Sequence, residues 1–284
     1  MPITVSASIL RCVSKRSPVA FFGLTLLMSA PFMILGVIVR TPEGAVVDLP
    51  LSALQFVAPF LAAGILVARQ DGWRSARHLL AGAIDIRRIR PARWAVPMVL
   101  IVPAIYVASY GLMRLAGRPL PDLEVSVASV LVLLALFLVT GFFEEIGWTG
   151  YALDPLRDRL GALGAALVIG MVWALFHLIA DLQGGHDLGW IAWHRLASVM
   201  LRVLIVWVYL NAGNALAAAI VVHATDNVSW QTFPTGGSHY DPVFTAPVSV
   251  VVVAVVVFLW GPRTLARFRY ARTPDRVPPS DGET

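Results

Sequence analysis

Residues 125–151 read VSVASVLVLLALFLVTGFFEEIGWTGY, an apolar run whose only charged members are the adjacent Glu144 and Glu145. A helix needs about 20 residues to cross the hydrocarbon core of a bilayer, so this run is long enough to span one. A charged side chain at such depth costs about 2.5–3.5 kcal/mol on insertion scales, which makes an intramembrane carboxylate a candidate for function by default. One stretch therefore predicts both a membrane fold and a place to look for chemistry.

Working outward, further apolar runs lie near 18–39, 51–68, 94–113, 162–180, 196–210, 214–228 and 247–260. The sixth and seventh of the eight spans are short and separated by Asn211, Gly213 and Asn214, a natural turn. The last run is almost pure Val, yet helix is expected there, because an open strand cannot satisfy its backbone in lipid. The predicted fold class is all-α, a polytopic transmembrane helical bundle of about eight spans. Composition agrees. Of 284 residues, 58% are hydrophobic and 14% charged, against roughly 25% charged in a soluble domain. Mean hydropathy is +0.75.

The arginines predict topology. One block, Arg11, Lys15 and Arg16, precedes the first span; a second runs from Arg69 to Arg93; a third, Arg263 to Arg276, follows the last. With eight spans all three blocks fall on one side, which the positive-inside rule makes cytoplasmic. The expectation is an integral protein of the cell membrane with both termini in the cytoplasm. Residues 1–272 would form the transmembrane domain, with a motif-bearing core at 125–235, and 273–284 a disordered tail. No cleavable signal peptide is expected, because the first apolar run is long enough to stay in the membrane. The net charge of +5 is confined to these blocks, so the bilayer is the expected partner and nucleic acid is not. Lys15 is the only lysine, a skew that reads as high-GC coding and points to a bacterial source. The single cysteine, Cys12, excludes an internal disulfide. His78 and the arginine-rich loop around it are topology signals first, with a surface for anionic lipid as a second reading.

Four spans carry polar groups: Glu144 and Glu145, then His177, Arg202, and His223 with Asp226 and Asn227. If the fourth and fifth spans leave the membrane between Leu153 and Leu163, the helical rise puts Glu144 and His223 at ~14 Å from the cytoplasmic end, and His177 and Asn227 at ~20 Å. The expectation is one polar cavity lined by Glu144, His177, His223 and Asn227 and open to the cytoplasmic side, with Glu145 turned to a different neighbour. A carboxylate with two imidazoles and an amide can run water-based acyl chemistry. A carboxyl in a low-dielectric site can act as general base, and an amide N–H can stabilise an oxyanion without titrating. The same Glu144, His177 and His223 could instead hold zinc with one position open. Against zinc, each ligand would come from a separate helix, and Asn227 is a better oxyanion donor than metal ligand.

The stretch Phe142-Phe143-Glu144-Glu145-Ile146-Gly147-Trp148-Thr149-Gly150-Tyr151 resembles the first motif of the CAAX-protease and bacteriocin-processing (CPBP, or Abi) family, Glu-Glu followed after three residues by Arg. Trp173 to His177 resembles the second motif, an aromatic residue four before a histidine. His223 to Asn227 resembles the third, a histidine followed four later by asparagine. Order and spacing agree over residues 125–235. The resemblance implies an eight-helix intramembrane endopeptidase in which Glu144 activates water, His177 and His223 assist, Asn227 contributes to the oxyanion site, and Glu145 is an accessory brace. It leans towards a site without metal, although the family has also been called metalloproteases, and implies a membrane-embedded or lipid-anchored peptide or protein as substrate. One position departs: the motif's arginine is Thr149 here, which removes a cation expected beside the two glutamates. Arg202 is a candidate to take its place.

Plainer roles compete. A buried Glu or His often only joins helices. Asp226 is expected to face a polar cavity or Trp230. His186, Asp187, His194 and Asp181 are expected to be solvated in an outer loop, with Trp190 and Trp193 as interface anchors. A proton-coupled transporter would use the same residues as a relay, but no repeat symmetry is visible. A catalytically idle CPBP-like scaffold, in bacteriocin immunity or partner binding, would tolerate the missing arginine.

Overall fold

The structure is a computed structural model that describes residues 16–39, 49–266, 268 and 269. The tail expected over 273–284, Arg11 and Lys15 lie outside the described residues. Among the described residues eight α-helices run in order: α1 Pro18–Ile38, α2 Val57–Ala83, α3 Ala95–Leu115, α4 Val127–Gly147, α5 Leu153–Gln183, α6 Leu188–Asn211, α7 Leu216–Thr232 and α8 Pro242–Trp260. No strand occurs among the described residues. Six segments are long and apolar enough to cross a membrane; the one at Val127–Gln183 contains both α4 and α5, and α7 lies outside the six.

Capping residues fix where several helices begin. Ser17 accepts the Ala20 N–H ahead of Pro18, and Asp187 accepts the N–H groups of Gly189 and Trp190. Asp241 accepts the Val243 N–H ahead of Pro242. In each case a side-chain oxygen takes a donor that the first turn leaves orphaned.

The connection between the fourth and fifth spans, taken to leave the membrane between Leu153 and Leu163, is helical up to Gly161. The chain passes from α4 through a π-helical turn, Trp148–Ala152, directly into α5, and Leu153 and Leu156 are buried. The only break is Gly161, at φ 73 and ψ 173, a conformation that a Cβ would oppose. The charged stretch around Asp154 stays helical because its apolar residues remain packed.

α6 is the central helix. It packs against α5, α7 and α8, and every residue from Leu201 to Val208 is buried. It begins at Leu188, eight residues before the run expected at 196, because Trp190, His194 and Arg195 depress hydropathy where the helix has already started. α7 is wedged among α3, α4 and α6.

Chain ends and connections sort into two ends of the bundle. At one, the Arg90 N–H donates to the Ala212 carbonyl, Ala162 N–H to Arg263, and Asn211 Nδ2 to Leu265. At the other, Gln183 Nε2 donates to the Met33 carbonyl, Thr235 Oγ1 to Asp122, and Arg118 pairs with Asp241. The described chain enters and leaves at the first end, which also holds the described residues of all three arginine blocks.

Candidate active site

Glycines set the spacing of the helices that carry the site. A Cβ on Gly141 would stand 3.3 Å from the Ile220 carbonyl and 3.7 Å from the His223 ring, so α4 and α7 touch there. A Cβ on Gly170 would stand 3.2 Å from Val199 Cα and 3.3 Å from Arg202 Cβ, which brings α5 equally close to α6. These contacts deliver side chains from four helices to the space around Trp173.

Glu144 ends one turn before the π-helical segment. Its Oε2 accepts the indole N–H of Trp173 at 2.7 Å and that of Trp148 at 3.2 Å. Its other oxygen accepts no hydrogen bond among the described residues and is not among the sealed, unpartnered atoms. Two neutral donors therefore fix the carboxylate while one oxygen stays available.

Glu145 has a different environment. Oε1 accepts from His223 Nδ1 at 2.9 Å, and Oε2 accepts from Arg202 NH1 at 2.7 Å and from the Thr149 hydroxyl. Glu145 and Arg202 are fully buried. The Arg202 guanidinium also lies over the Trp173 ring, 4.5 Å from its centroid, where the π face attracts a cation. Its Nε and NH2 find no hydrogen-bond partner among the described residues. The cation missing at Thr149 thus reaches the acidic pair from α6, and Thr149 itself donates to the same carboxylate. Glu145 thus has different hydrogen-bond partners from Glu144, and His223 is one of them.

His177 Nδ1 is 2.9 Å from the Trp173 carbonyl. A carbonyl only accepts, so Nδ1 carries the proton and Nε2 the lone pair. His223 has the same polarity, because its Nδ1 faces a carboxylate. The two imidazole rings meet the Trp173 ring at 5.3 and 5.1 Å between centroids. Sequence reasoning found both histidines but gave Trp173 and Trp148 no role. Their spacing, four residues before His177 and four after Glu144, is the signal that could have found them.

Asn227 lies one turn beyond His223 on α7. It is half-buried, and its amide makes no hydrogen bond among the described residues. By helical rise, Asn227 and His177 lie ~8 and ~9 Å from the ends of α7 and α5 opposite the basic end.

Asp226 accepts the Tyr106 hydroxyl at 3.4 Å and lines a small cavity with Tyr240 and His194, with room for about one water molecule. His194 and Asp181, expected to be solvated, are buried: His194 Nδ1 meets the Tyr240 hydroxyl at 2.9 Å, and Asp181 pairs with Arg195 at 2.9 Å. Among the described residues no three His, Cys, Asp or Glu side chains converge closely enough to hold a metal ion.

The bundle buries Glu144, Glu145, Arg202 and His223 at one place, with His177 half-buried beside them. Residues 126–229 match the family described as type II CAAX prenyl endopeptidase Rce1-like. The chain is also similar to CAAX prenyl protease 2 of Methanococcus maripaludis, 24% identical over 187 residues, covering 61% of this chain and 68% of that protein. Over this segment the chain is similar to CAAX-type intramembrane proteases. Glu144, His177, His223 and Asn227 all fall within the matched segment.

Proposed function

We propose that the chain is an intramembrane endopeptidase that hydrolyses a membrane-anchored peptide or protein with water activated by Glu144. The observation that carries this reading is the carboxylate of Glu144, held on one oxygen by two indoles with the other left available. A water on that oxygen loses a proton to Glu144 as its oxygen attacks the scissile carbonyl. The Asn227 amide donates to the oxyanion that develops, and Glu144 returns the proton to the leaving amine. His177 and His223 each present an unprotonated Nε2, and one of them accepts the water's second hydrogen and keeps it oriented. Glu145 and Arg202 hold His223 in the tautomer this requires.

The site is read as metal-free, with no step through zinc. The basic end of the bundle faces the cytoplasm by the positive-inside rule. The activity for which the archaeal relative is named makes a prenylated C-terminal tail the first substrate to offer. The idle-scaffold alternative rests on Thr149, and the Arg202–Glu145 pair counts against it.

Cleavage of a prenylated, membrane-embedded peptide tests the proposal. Glu144→Gln should abolish cleavage with the fold intact, and Asn227→Ala should slow it by about 10²–10³, the cost of one oxyanion donor. Cleavage by Glu144→Gln at the wild-type rate would sink the reading.

A further inference from the structure

The geometry points to residues 73–93 as an in-plane element that binds anionic phospholipid headgroups at the basic end of the bundle. Within α2 the helix breaks at Gly72, at φ 81 and ψ 165. The chain beyond this break does not continue the span: a Cβ on Gly150 would meet Leu79 Cδ1 at 3.0 Å and Leu216 Cδ2 at 3.2 Å. The segment after Gly72 therefore folds across the end of the bundle, with its own Ala76 and Ala83 buried.

Its outward side is two kinds of group side by side. Trp73 is 77% exposed, Ile84 69% and Ile86 70%. Arg74, Arg77, Arg87 and Arg88 are exposed between and beside them. The one acidic residue of the segment, Asp85, pairs with Arg88 at 3.4 Å. The side chains of Arg74, Arg77 and Arg87 make no hydrogen bond or ion pair among the described residues. A soluble anion would use the guanidiniums and leave Trp73, Ile84 and Ile86 in water. A lipid leaflet takes both, with the apolar groups at the acyl boundary and the arginines on the phosphates. The segment joins two spans, so it sits at headgroup depth by construction. The inference does not depend on the peptidase reading.

The test titrates headgroup-labelled phosphatidylglycerol, and phosphatidylcholine as control, against the full chain in non-ionic detergent. Wild type should prefer phosphatidylglycerol. Each of Arg74→Gln, Arg77→Gln and Arg87→Gln should weaken that binding up to about fivefold, the equivalent of ~1 kcal/mol per basic residue near a membrane surface. Arg114→Gln, at the opposite end, should leave it unchanged. Trp73→Ala should weaken it too, and inorganic phosphate should not displace the lipid at matched ionic strength. Single variants at exposed positions keep the fold, checked by an unchanged unfolding midpoint. Equal binding of both lipids, equal binding by wild type and the three arginine variants, or displacement by inorganic phosphate alone would overturn the inference.

Discussion

Arg202 on α6 and Glu145 on α4 face each other at 2.7 Å with neither side chain reaching solvent. Removing one partner of such a pair leaves an uncompensated buried charge, at a cost of about 3–5 kcal/mol. Arg202→Met should therefore destabilise the bundle by that order, and Arg202→Met with Glu145→Gln by less than the sum of the single changes. Thr149→Arg gives the sharper check. In the wild type it adds a second cation at an occupied carboxylate and should lower stability; in the Arg202→Met background it should restore part of what was lost. Unfolding monitored by circular dichroism in detergent reads all five variants, Glu145→Gln alone included. A gain in stability from Thr149→Arg alone would show that Arg202 does not fill the vacant role.

Trp173 donates to Glu144 at 2.7 Å and lies under Arg202 and between both histidines. Trp173→Phe keeps the ring and deletes the N–H, so it should lower kcat by about 10–100-fold, the equivalent of a charged hydrogen bond of ~1.5–3 kcal/mol. Trp148→Phe, whose bond is 3.2 Å, should lower it less. Steady-state kinetics on the same embedded peptide separates them, and an unchanged kcat in Trp173→Phe would remove the indole from the mechanism.

The two ends of the bundle predict labelling from opposite sides. With Cys12 replaced by Ser, a cysteine at exposed Gly185, between α5 and α6, should react with a membrane-impermeant maleimide in intact cells. A cysteine at exposed Arg87 should react only after the membrane is opened. The reverse pattern would place the basic end outside and contradict the positive-inside assignment.

Much of this is legible in the sequence because lipid imposes long apolar runs, and because polar residues inside them are few enough to name. Glu144, His177 and His223 can be placed at comparable depth by counting. Which glutamate faces His223 cannot be counted: adjacent residues point about 100° apart on a helix. The rotation of α4 is set by the contacts at Gly141 and by the π-helical turn after it. Arg202 has no local partner in sequence, so its pairing with Glu145 emerges only when Gly170 lets α5 and α6 approach. His194 reads as a loop residue because the first turns of α6 are polar; the Tyr240 hydroxyl that satisfies it comes from 46 residues further on.

The central claim is that Glu144, and not a bound metal, activates the water. The most direct measurement is cleavage of the membrane-embedded peptide after exhaustive chelation, with metal content determined on the same sample. The account predicts cleavage that persists in metal-free protein and is absent in Glu144→Gln. Activity that disappears on chelation and returns stoichiometrically with zinc would contradict it.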